Sequence, residues 1–213
     1  MNRVTVLACV LLLAACGGSS GSGGGQPKQT SAETVGSNSG DFPALQKCPE
    51  SGTWDHYLSA EQSKDPSQYS TDKANFDSAK AAGANDTYIA VYAGDPSVCG
   101  TFSNTSGTGK EAQVYSIRFK DTASASSNFK SQESQFHLSD SDLQNIKSAG
   151  GTVKQGSTTG LGDNSVVIEV SLGPVSVYAA AWQNKEFEVA VLSLNSPVTD
   201  GESATTKING RIT

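Results

Sequence analysis

The chain has 213 residues, 21 of them acidic and 15 basic, a net charge of −6. Its three Arg and its lysines are scattered rather than clustered, so there is no phosphate-binding surface and nucleic acid is excluded as a partner. After the N-terminus no apolar run approaches the about 20 residues that a spanning helix needs, and no metal, nucleotide or other cofactor motif occurs.

Met1-Asn2-Arg3 is a short basic start, and residues 4–15 form an uncharged apolar run ending in small residues, the layout of a secretory signal. The run is too short to span a bilayer. Leu13-Ala14-Ala15-Cys16 resembles the lipobox of bacterial lipoproteins. That resemblance implies cleavage before Cys16, a thioether-linked lipid on its sulfur and acylation of its new amino group. The mature chain would then carry 14 basic residues (15 less Arg3) against 21 acidic ones, a net charge of −7. Such a charge opposes adsorption to anionic lipid, so the acyl chains are expected to hold the protein at the outer face of the cell membrane. Residues 16–40 read as the lipidated Cys and a flexible tether: 14 of the 24 positions from 17 to 40 are Gly or Ser, and Val35 is the only bulky aliphatic among them. As a coil this stretch reaches about 27 Å.

All 15 aromatic residues fall between Phe42 and Phe187, so residues 41–213 are expected to form one globular domain. Residues 41–69 read as irregular and turn-rich, with Trp54, Tyr57 and Leu58 as apolar anchors. A helix is expected over 70–82, closed by Gly83, then strands over 87–93 and 112–119. Asp121 is placed to cap a helix whose stripe includes Ala125, Phe129 and Phe136. Ser139-Asp140-Ser141-Asp142 reads as a capping box for a shorter helix rather than a calcium loop, because the Gly and terminal Glu of such a loop are missing. A short strand over 152–155 and the Gly160-Leu161-Gly162-Asp163 loop follow. Strands over 165–172, 175–182 and 186–194 then form an antiparallel meander, turned at Gly173-Pro174 and Asn184-Lys185. Ala204, Ile208 and Ile212, four apart, mark a terminal helix. The fold class is α+β, an antiparallel sheet with helices mainly on one face.

Two cysteines remain in the domain, Cys48 and Cys99, and in an oxidising compartment they are expected to form a disulfide closing a loop of about 50 residues. No metal is expected, since no Cys-x-x-Cys spacing exists and His56 and His137 lie far apart. Neither His neighbours a nucleophile motif, so no catalytic residues are assigned.

The tether, the helix after a central strand, the Gly-Leu-Gly-Asp loop and the meander ending at Trp182-Gln183-Asn184-Lys185 are similar to sensor-like lipoprotein domains of high-GC Gram-positive bacteria. The resemblance supports the fold class; with no catalytic motif in the chain, the leading expectation is a non-enzymatic domain that binds a small ligand, a wall component or a partner protein, with a carrier of an apolar ligand in a cavity between sheet and helices as the alternative and an enzyme as the third reading. Register sorts the meander. Val166, Ile168, Val170 and Leu172 share a face with Val175, Val177, Ala179, Ala190, Leu192 and Leu194, the expected core face. Glu169, Tyr178, Trp182 and Phe187 lie on the other, which is the candidate binding face unless residues 41–69 fold over it.

The anchor is tested by Cys16→Ala, expected to release the protein from the membrane fraction or leave its signal uncleaved. A wild-type mature N-terminus starting at an unmodified residue 15 or 17 would refute it.

Overall fold

The computed structural model describes residues 30–100, 109–132, 139–172 and 175–212. The signal, Cys16, the tether up to residue 29, Phe136, His137 and the Gly173-Pro174 turn lie outside them. Seven strands, β1 (Gln46–Lys47), β2 (Ala84–Ala93), β3 (Glu111–Phe119), β4 (Thr152–Gln155), β5 (Ser165–Leu172), β6 (Val175–Asn184) and β7 (Phe187–Leu194), make one sheet. Its order is β1-β2-β3-β7-β6-β5-β4 and every pairing is antiparallel. The fold is mixed α+β. Among the described residues the helices are α1 (Ala32–Gly36), α2 (Trp54–Gln62), α3 (Pro66–Ala81), α4 (Thr122–Ser131), α5 (Asp140–Ser148) and α6 (Val198–Gly210). None of them is long and apolar enough to cross a membrane.

Local chemistry sets the helix starts. Asp121 accepts from the Ser124 amide at 2.7 Å, and Ser139 and Asp142 exchange the two bonds of a capping box, so Asp142 is committed to the helix end. Residues 41–69 are more ordered than expected. Thr53 caps α2 by accepting from the His56 amide, and Asp65 caps α3 at Gln68 with Pro66 in its first position, so α3 begins four residues before the expected start. Cys48 and Cys99 form the expected disulfide, with Cα atoms 5.5 Å apart across a separation of 51 residues. In the chain-entropy picture such a closure stabilises by roughly 4 kcal/mol.

The first hairpin of the meander has the expected register: Leu172 pairs with Val175, Glu169 with Tyr178 and Ser165 with Trp182. The second turn lies one residue later than expected, at Lys185-Glu186, so Asn184 pairs with Phe187 and Trp182 with Val189. Asn184 stays in the strand, where its side-chain amide donates to Asn209 of α6 at 2.9 Å, and Lys185 takes the left-handed turn position (φ 51°). Moving the turn by one residue shifts the pairing by two positions, which leaves each side chain on its expected face.

What covers those faces differs from expectation. The aromatic face of Tyr178, Trp182 and Phe187, continued by Val114 and Val191, is closed by α1 and α6 through Ala32, Val35, Ala204 and Ile208. Residues 30–40 therefore belong to the folded domain, which begins before residue 41. Helices lie on the opposite face too: α2 and α3 cover Ile89 and Val91 of β2, while Phe129 of α4 packs on Val166 and Ala181. Beyond α4 the expected core face opens. Val170, Val177, Leu192 and Leu194 are half-buried, and Val175 is 36% exposed.

Two carboxyl sites are buried on that second face. Glu61 of α2 meets Asp72 of α3, with the Tyr57 hydroxyl beside it and Gln68 donating to Asp72 at 3.0 Å. Burial first, then Asp72, pushes the Glu61 carboxyl up to about 8. Glu188 of β7 accepts from Asn128 Nδ2 on both oxygens, at 3.0 and 2.9 Å, and burial raises it to about 8 as well. Both carboxyls hold their proton to higher pH in the folded chain than in the unfolded one, where the ordinary value is 4.5. Stability should therefore fall as pH rises from about 4.5 to about 8. Glu61→Gln should flatten part of that slope in melting curves; a variant with the wild-type pH profile would contradict the assignment.

Candidate functional site

Of the four residues placed on the candidate binding face, three are core, Tyr178 at 3% exposure among them. Trp182 and Phe187 are 0% exposed beneath α1 and α6, because large aromatic side chains on a sheet need a lid and the two terminal helices provide it. Glu169 and Tyr178, opposite each other on β5 and β6, lie at the margin of that lid. There they line a pocket of about 130 Å³ at the edge of the sheet.

Each wall has a local cause. Antiparallel pairing sets Thr152 opposite Glu169 and Lys154 opposite Val167, so both side chains of β4 stand on the pocket's face of the sheet. Glu169 accepts from the Thr152 hydroxyl at 3.0 Å and pairs with Lys154 Nζ at 3.4 Å. The loop after β4 is fastened by Ser165: its hydroxyl donates to the Gly162 carbonyl and meets Thr159 Oγ1 at 2.6 Å, which holds Leu161 against the pocket. The far wall is α6. Gly201 lies on the Tyr178 ring so closely that a Cβ there would stand 2.4 Å from ring carbon Cδ1. That approach brings Glu202, Thr205 and Thr206 of the same helix to the pocket.

The electrostatics converge on Tyr178. Burial, above all, raises its phenol; the Thr205 hydroxyl acts in the opposite sense, and Glu202 and Glu169 push it further up. Both carboxylates thus act on one phenol from different walls. Thr205 itself is 2% exposed, and its hydroxyl is turned to the Tyr178 phenol.

Other chemistry-bearing groups are engaged elsewhere. His56 Nε2 stands 3.2 Å from the Pro49 carbonyl. Among the described residues one group of three potential metal donors occurs, Cys48, Glu50 and Cys99, but the sulfurs are joined in the disulfide and Glu50 accepts from the Gly100 amide at 2.5 Å. Glu169 and Tyr178 were legible in the sequence as cross-strand neighbours. Lys154, Glu202 and Thr205 were not, since they arrive from separate elements; the small residue Gly201 inside the terminal helix was the available signal for close packing on a ring.

No family model and no curated protein sequence matches the chain. Among solved structures, the extracellular domain of PknH from Mycobacterium tuberculosis is similar, with a TM-score of 0.38 and 8% sequence identity over 62% of this chain. The match takes in 66% of that domain, just under two thirds of its length, and a likeness of that size carries no functional argument.

The helix–ring contact is open to a direct test. Gly201→Ala should destabilise by about 1–3 kcal/mol through overpacking, although Ala is ordinarily the better helix former. Gly210→Ala, where an added Cβ meets nothing within 4 Å, should leave the melting temperature unchanged or raise it. Equal responses of the two variants would show that Gly201 does not set the packing of α6.

Proposed function

We propose that the chain is a lipid-anchored extracytoplasmic domain that acts by binding, in a sensor-like role, with the pocket of Glu169, Tyr178, Glu202 and Thr205 as its ligand site. The anchor rests on the lipobox resemblance and the binding role on the pocket. The observation that carries the reading is the cavity itself, where two carboxylates from facing walls converge beside the Tyr178 phenol and the buried Thr205 hydroxyl. Size narrows the choice between ligand classes. At about 130 Å³ the pocket is smaller than the roughly 300 Å³ at which drug-sized ligand sites begin. The space between sheet and terminal helices is filled by Trp182, Phe187 and Ile208. Both facts speak for a small polar ligand and against a carried lipid.

The test is an amide chemical-shift screen of the domain with small polar metabolites. Binding should perturb residues of β4, β5 and the 201–206 turn of α6 together, and Thr205→Val should weaken it severalfold with little change in melting temperature. Perturbations confined to other surfaces would overturn the assignment.

A further inference from the structure

Resting on the reading of this pocket as a ligand site, we infer that its ligand is a small molecule bearing a primary ammonium group, held between Glu202 and Glu169 with Thr205 as the third acceptor. The lining carries two carboxylates and one ammonium, a balance of −1. The two acids are not equivalent. Glu169 has one oxygen on the Thr152 hydroxyl and the other on Lys154, a contact of 3.4 Å to a side chain that is itself 45% exposed. Glu202 makes no ion pair among the described residues. Lys154 already faces Glu169, so the lining has no uncommitted cation for an anionic ligand. A cationic one would meet the unpaired Glu202 and the loosely paired Glu169.

Valence and size agree. An ammonium has three donors and no acceptor, and two carboxylates with one hydroxyl oxygen offer it acceptors from two facing walls, β5 and α6. Hydrogen bonds in which both partners are ionised are among the stronger ones. The cavity holds the equivalent of about four waters, taking roughly 30 Å³ for each. That fits a compound of amino-acid size, its carbon skeleton lying on Leu161 and Val167.

The experiment is titration of the folded domain with alaninamide and with lactamide, which replaces the ammonium by a hydroxyl at nearly the same shape, monitored by amide chemical shifts. Alaninamide should perturb the amides of Glu169, Tyr178 and Glu202 and bind at least tenfold more tightly than lactamide. Glu202→Gln, a conservative change on an exposed position of α6, should abolish that preference with the melting temperature unchanged. Lactamide binding at the same residues as tightly as alaninamide would overturn the ammonium inference and leave the pocket reading standing. No shift at these residues from either probe would overturn the inference, and silence there across the whole polar screen would take the pocket reading with it.

Discussion

One arginine ties the two ends of the domain together. Arg211, just past α6, donates from both terminal nitrogens to the two oxygens of Asp41, at 2.8 and 2.7 Å, and from Nε and Nη2 to the Val35 carbonyl at the end of α1. Asp41 is buried, so the pair is sheltered from solvent, and removing one partner of a buried ion pair typically costs about 3–5 kcal/mol. The first turn of α1 is held separately, its Ala32 amide donating to Asp86 and Arg118 reaching the Thr30 carbonyl. With both helices so fixed, Trp182 and Phe187 have a lid. The same fastening fixes where Gly201 falls on Tyr178, and hence where the pocket opens.

This layering explains why the sheet was easier to read than its cover. Strand alternation and short turns specify which side chains share a face, because a two-residue period survives small errors in turn position. The turn at Lys185-Glu186 shows it: the pairing moved, and Trp182 stayed opposite in face to Ile168. Which face is the more deeply buried depends on segments remote in sequence. Glu169 beside the aromatics makes that face a candidate binding surface in the sequence, yet Ser165 and Ser193 on it are buried, Ser165 bonded into the loop before its strand. The α1 part of the lid came from residues 30–40, whose Gly and Ser composition reads as a tether. The lone aliphatic of that stretch, Val35, is the residue that docks.

The candidate site follows the same logic. Glu169 and Tyr178 are neighbours by register, which local pattern supplies. Glu202 and Thr205 reach the pocket only through the docking of α6, and Lys154 only through the pairing of the edge strand β4, so no local pattern could gather them. The buried acids Glu61 and Glu188 were equally hidden, since a carboxylate on a helix or strand ordinarily signals a solvated position. Glu61, between α2 and α3, and Glu188, beneath α4, make the second side of the sheet partly polar, while the aromatic face carries the larger side chains.

The claim on which the rest depends is that residues 30–40 are part of the fold. Thermal unfolding of a chain beginning at residue 30, set beside one beginning at residue 41, measures it most directly. Loss of α1 and of the Val35 carbonyl from the Arg211 clamp should lower the melting temperature of the shorter chain by about 10 °C or more, since each kcal/mol is worth roughly 2–4 °C in a domain of this size. Coincident melting curves for the two chains would contradict the account.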